Sequence, residues 1–172
     1  MSETSLNLKS AYFAAGCFWG VEKYFQKHTG VKKTSVGFMG GSTEAPTYED
    51  ICKGDTGHAE VVLVEYNELE VTYRELVIFL FRMHDPTTLN QQHNDKGTQY
   101  RSAIFTNTDS EIKTIKDIIS KLEELKVFTN KVVTSIESNQ GYFPASELHQ
   151  NYLIKNPGGY MCHMLGPELP FK

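Results

Sequence analysis

The chain has 172 residues, 40% of them hydrophobic, enough for one core, and a single domain spanning 1–172 is the expectation. Lys plus Arg number 17 against 21 Asp plus Glu, a mildly acidic balance with no basic run to neutralise a row of phosphates, which argues against a nucleic-acid partner. The opening MSETSLNLKS has no apolar h-region and no later stretch reaches the roughly 18 to 20 apolar residues of a membrane span, so a soluble cytoplasmic protein is expected.

After a short N-terminal segment (1–9), Ala11 to Ala15 reads as a strand. Gly16 breaks it, and Phe18, Val21, Glu22 and Phe25 then recur near helical spacing up to the stop at Gly30. Val31 to Phe38 is a second strand. Residues 41–57 are polar and read as a loop, with one helical turn over Tyr48 to Cys52. Ala59 to Tyr66 is apolar on both faces for most of its length, as a central strand would be. Thr72 and Glu75 have capping-box spacing ahead of an apolar helix that ends before Asp85-Pro86. Residues 87–99 form a long polar loop, of the kind that is functional or disordered in a compact domain. Tyr100 to Thr106 is a strand, and Asp109 to Leu125 an amphipathic helix with Ile112, Ile115, Ile119 and Leu122 on one stripe. Lys131 to Ile136 gives a further strand and Ala145 to Ile154 a last helix, ended by Asn156-Pro157-Gly158-Gly159. Strands and helices alternate, so the class is α/β, with a mobile irregular tail over about 156–172.

Three cysteines, Cys17, Cys52 and Cys162, form no C-x-x-C pair and are odd in number, which excludes a local zinc ribbon or dithiol and disfavours a secreted disulfide framework. Cys17 stands where a strand hands over to a helix, near free N–H groups and the positive end of the helix dipole, where a thiolate is favoured. A buried structural cysteine is the other reading, and the flanking Gly16 and Gly20 with the bulky Phe18-Trp19 pair weigh against it. Trp19 and Phe18 can be core residues or an apolar wall for a methyl or thioether group. Glu60, on the side of the central strand shared by Val62 and Val64, is either a desolvated carboxylic acid or an exposed strand-end glutamate. Tyr48, Asp95 and Tyr100 lie in or beside the polar loops, where binding groups concentrate. His58, His84, His93 and His163 show no metal-ligand spacing, so no metal and no cofactor are expected.

Gly16-Cys17-Phe18-Trp19-Gly20 carries a resemblance. With Thr47-Tyr48, Gly54 to Glu60, His84-Asp85-Pro86, Asn94-Asp95 and Gly97 to Ser102, in that order, the sequence resembles the A-type peptide methionine sulfoxide reductases over most of its length. The resemblance implies a two-layer α/β sandwich with a mixed sheet and a ferredoxin-like core. It implies Cys17 as nucleophile, Phe18 and Trp19 as the pocket for the substrate's S-methyl, Glu60, Tyr48 and Tyr100 as donors to the sulfoxide oxygen, and Asp95 as a substrate-orienting group. It further implies reduction of the S epimer of free or protein-bound methionine sulfoxide. A sulfenic acid on Cys17 would be resolved by Cys162, and the disulfide reduced by thioredoxin. The expected state is a monomer, with Cys52 a bystander. His93 stands where many relatives have glycine and Phe38 where tyrosine is frequent. The competing readings are a non-catalytic thiol redox sensor and a Cys-His hydrolase.

Overall fold

A computed structural model describes residues 7–172; the first six residues of the N-terminal segment lie outside it. The elements follow the order β1 (Lys9–Ala15), α1 (Phe18–Gln26), β2 (Val31–Met39), α2 (Tyr48–Cys52), β3 (Ala59–Tyr66), α3 (Tyr73–Arg82), β4 (Gln91–Gln92), β5 (Asp95–Lys96), β6 (Ser102–Thr106), α4 (Asp109–Glu124), β7 (Ser135–Ser138), β8 (Phe143–Pro144) and α5 (Tyr152–Lys155). Short 3-10 turns cover Thr98–Tyr100 and Glu147–His149.

Six strands form one sheet in the order β7-β6-β1-β3-β2-β8. Only β6 and β7 run parallel; every other pair is antiparallel, so the sheet is mixed. The inner four strands, with α1 and α3 as crossovers, make the βαββαβ arrangement of a ferredoxin-like core, and β3 is central as its two apolar faces require. Phe13, Val36, Val62 and Ile104 share one cross-strand row, and that face buries Val21 and Phe25 of α1, Leu76 and Leu80 of α3, and Ile115, Ile118 and Leu122 of α4. The opposite face carries a smaller cluster of Ala14, Met39, Ala59, Val61, Ala103 and Phe105, to which no helix contributes. The result is two layers. Among the described residues no helix is long and apolar enough to cross a membrane.

Three expected elements end up elsewhere. The strand expected over 131–136 pairs only from Ser135 to Ser138, because the Val133 N–H goes to the Pro86 carbonyl (2.8 Å) instead of a ladder. Tyr100 closes a 3-10 turn, with its strand starting two residues later. The helix expected over 145–154 is broken at Gln150-Asn151. The Gln150 amide brackets Val36, accepting from its N–H and donating to its C=O at 2.8 Å each, and Asn151 adopts φ +54°. Residues 156–172 have no regular element, yet Leu165, Leu169 and Phe171 pack on the core, and Arg82 donates to the carbonyls of Gly166 and Pro167.

Candidate active site

β1 ends at Ala15 in the middle of the sheet, and Gly16 turns the chain at φ +88°, a conformation that side chains with a Cβ resist. A Cβ on Gly16 would also sit 2.7 Å from the Gln92 Cβ, so glycine serves both the turn and the close approach of a neighbour. Cys17 follows as the N-cap of α1, 7% exposed. A backbone N–H at Trp19 favours its thiolate, as the helix terminus predicts, but burial first and the nearby Glu60 second outweigh it and push the Cys17 pKa up. Against the expectation of a stabilised thiolate, the surroundings of Cys17 favour its thiol form.

Beside it lies an aromatic wall. Phe18 is buried against Phe38 (centroids 5.7 Å apart) and faces Tyr48 (6.4 Å), while half-buried Trp19 stacks on Tyr152 at 3.8 Å. The Trp19 indole N–H donates to His149 Nδ1 (3.3 Å), and the His149 ring lies 4.2 Å from that of Tyr48. Sequence reasoning did not reach His149 or Tyr152, which arrive from the broken segment. Buried Glu22 of α1 holds that segment, accepting from the Asn151 N–H (2.8 Å) and from the Thr34 hydroxyl (2.9 Å), and Gln26 donates to the Asn151 side chain. A glutamate spaced with the apolar positions of α1 was the available signal.

Glu60 of β3, directly across from Phe38, is 2% exposed, and neither carboxyl oxygen has a hydrogen-bond partner. An unpaired carboxylate in such a place is prohibitively costly, so the group is held neutral. Burial, then Asp95, raises its pKa well above the usual range. Of the two sequence readings of Glu60, the geometry matches the desolvated acid. Tyr48 and Tyr100 are half-buried, and burial first, then Glu60, keeps both hydroxyls protonated. Arg101 fixes Tyr100: it forks onto Glu137 at 3.0 Å twice and donates to the Gly57 carbonyl at 3.1 Å, joining the 57–60 and 97–102 blocks. Cys52 is exposed at the end of α2, close enough to Tyr48 to oppose its ionisation.

Asp95 belongs to the β4–β5 hairpin, which is tied down by the buried Gln92 amide bracketing Asp85. His93 within it adopts φ +51°, the left-handed region where glycine is at ease. Asp95 Oδ2 accepts from Tyr160 (3.3 Å) and from the Cys162 thiol (3.5 Å). Gly20 admits the tail, since a Cβ there would collide with the His163 ring and come within 3.0 Å of the Met161 sulfur. Cys17 and Cys162 are both free thiols, and Cys162 is near enough to help push the Cys17 pKa up. All eight predicted site residues therefore gather around the start of α1.

A family model described as peptide methionine sulfoxide reductase matches residues 9–169. The chain belongs to that family. The peptide methionine sulfoxide reductase MsrA of Mycoplasma genitalium is 47% identical over 157 residues, covering 91% of this chain and 98% of that protein. The reduced form of Mxr1 from Saccharomyces cerevisiae superposes with TM-score 0.89 at 39% identity, over 97% of this chain and 99% of Mxr1. Mxr1 in complex with Trx2 superposes at TM-score 0.64 and 28% identity, over 97% and 96%. As a reductase of this family, the chain is an oxidoreductase, and its two-layer mixed fold is the one seen in these structures.

Proposed function

We propose that the reductase converts the S epimer of methionine sulfoxide, in oxidised proteins and as the free amino acid, to methionine, with Cys17 as nucleophile and Glu60 as acid. The single observation that carries this reading is the Glu60 carboxyl, buried beside Cys17 with both oxygens unpartnered. A carboxylic acid kept neutral at pH 7 can donate to a sulfoxide oxygen, which needs a proton as its bond to sulfur breaks. Tyr48 and Tyr100 supply further donors, Phe18 and Trp19 face the S-methyl, and Asp95 orients the substrate.

In the first step the Cys17 sulfur attacks the sulfoxide sulfur while Glu60 protonates the oxygen. The oxygen transfers to Cys17, the thiol proton returns to Glu60, and the products are methionine and a Cys17 sulfenic acid. The substrate sulfur gains the two electrons that Cys17 loses. Cys162 then condenses with the sulfenic acid, releasing water and leaving a Cys17–Cys162 disulfide. The thioredoxin complex of the yeast relative supports a thioredoxin as the dithiol that reduces it. Three free thiols suit a reducing compartment such as the cytoplasm, and repair of oxidised protein suits the substrate.

A thiol sensor would have no use for the Glu60 acid. A Cys-His hydrolase would need an imidazole on Cys17, whereas His149 is bonded to Trp19, and His163 to Ala15 and Cys162. The test is a stereo-resolved assay of the parent and Cys17→Ser proteins. The parent should consume the S epimer, stopping after one equivalent until thioredoxin or dithiothreitol is added, and the serine variant should be inactive. Turnover by Cys17→Ser would end this account.

A further inference from the structure

We propose that His163 is the base of the second step, its Nδ1 taking the proton of the Cys162 thiol as the Cys162 sulfur attacks the Cys17 sulfenic acid. The inference rests on the relay just described and adds the group that the relay lacks. The tautomer of His163 follows from its partner. Its Nε2 lies 2.5 Å from the Ala15 carbonyl, which can only accept, so Nε2 carries the hydrogen and Nδ1 keeps a free lone pair. That lone pair points at Cys162 Sγ, 3.4 Å away. The ring has little freedom. It fills the space left by the absent side chain of Gly20, its Nε2 would lie 3.5 Å from a Cβ on Gly16, and the backbone that follows is held by the Tyr24 hydroxyl, which donates to the His163 carbonyl (3.3 Å) and accepts from the Leu165 N–H (3.1 Å).

Cys162 needs such a base. Burial, then Asp95, pushes its pKa up to about 11, so scarcely any thiolate exists at neutral pH. Asp95 touches the same sulfur, but a carboxylate is a weaker base than an imidazole and takes a thiol proton less readily. Asp95 instead favours the imidazolium that forms. The titratable groups whose charge reaches the ring are His93 and Asp95 of the hairpin, His84 at the end of α3, and Cys162 itself. Burial lowers the His163 pKa, leaving it neutral and ready to accept at pH 7.

The step balances. The Cys162 lone pair forms the S–S bond, the S–O pair of the sulfenic acid leaves with oxygen, and the proton held on His163 completes the departing water.

The test uses the full chain and His163→Gln, whose amide N–H can still donate to Ala15 but which has no titratable base. Reduced protein is mixed with methionine S-sulfoxide without reductant. Methionine, free thiols and dimedone-trapped sulfenic acid are then followed from pH 5.5 to 9.5. In the variant the ratio of disulfide rate to methionine rate should fall by about a hundredfold at pH 7, with sulfenic acid accumulating on Cys17. In the parent the disulfide rate should rise to a plateau as His163 loses its proton, whereas in the variant it should keep climbing with pH. An unchanged ratio overturns the proposal. So does a parent rate that climbs without a plateau, an outcome that decides the matter even if the variant folds poorly. Failure of the parent to form methionine would instead sink the role of Cys17, and methionine without a disulfide would sink the relay; either removes the proposal's footing.

Discussion

Glu60 is a carboxyl group buried without a hydrogen-bond partner, which ties its charge to the stability of the fold. Its pKa in the fold stands well above the 4.5 of an ordinary glutamate, so above pH 4.5 the unfolded chain releases a proton that the folded one keeps. The contribution of Glu60 to stability is therefore fully present below pH 4.5 and is lost as pH rises toward the folded-state value. Glu60→Gln removes that loss. Urea unfolding should find the variant more stable than the parent at pH 8, with the advantage shrinking as pH is lowered toward 4.5 and constant below it, while turnover falls by about 10²- to 10⁴-fold. An advantage independent of pH would show that Glu60 is ionised in the fold. At this scale the sequence was legible wherever a residue's role follows from its own element. Strand alternation put Glu60 on the face of Val62, and the strand-to-helix turn placed Cys17 at the start of α1. His149 and His163 could not be read that way, because their roles come from partners 130 and 148 residues distant.

Among the elements, α1 is shaped by what lies on it. Gly20 costs the helix about 1 kcal/mol relative to alanine, and it is kept because the His163 ring occupies the notch. Gly20→Ala should gain that propensity and lose more by overpacking, about 1–3 kcal/mol, as the ring or the tail is displaced. The expected outcome is a net fall in stability on denaturant unfolding, with faster proteolysis beyond residue 156. A more stable variant with an equally protected tail would show that the notch is slack. Element boundaries were legible where local chemistry sets them. The Thr72 capping box is present as its spacing indicates, and the same physics caps α2 at Thr47 and α4 at Thr108. They were not legible where a side chain is committed to a distant strand. Gln150 is bonded to β2 and the Asn151 N–H to Glu22, and no apolar periodicity over 145–154 records either.

Across the whole molecule, one buried histidine ties the helical layer to the sheet. His84 Nδ1 donates to the Leu80 carbonyl and its Nε2 accepts from Ser102, which bonds in turn to Thr134, each at 2.8 Å. Burial pushes its pKa down to about 4, against 6.5 for an ordinary histidine. Between those values the unfolded chain binds more protons than the folded one. His84 therefore costs nothing above pH 6.5, and its penalty grows as pH falls toward 4, to on the order of 3 kcal/mol. His84→Asn keeps a donor for Leu80 and cannot titrate. The stability of the parent relative to this variant should be flat above pH 7 and fall by that order between pH 6.5 and 4 in urea titrations. A flat difference throughout would mean that His84 is charged in the fold. The architecture itself was the most legible feature, since alternating strand and helix patterns around a two-faced β3 leave few topologies. The docking of the tail was the least legible. Residues 156–172 have no periodicity, and hydrogen bonds with Tyr24, Arg82 and Asp95 hold them in place together with the packing of Leu165, Leu169 and Phe171.

The stacking of Trp19 on Tyr152, with its indole N–H on His149, has an optical corollary. The chain has one tryptophan, so all of its indole emission originates in the aromatic wall beside Cys17. Indole emission therefore carries no background from the rest of the fold, and the reductase holds its own fluorophore two residues from Cys17.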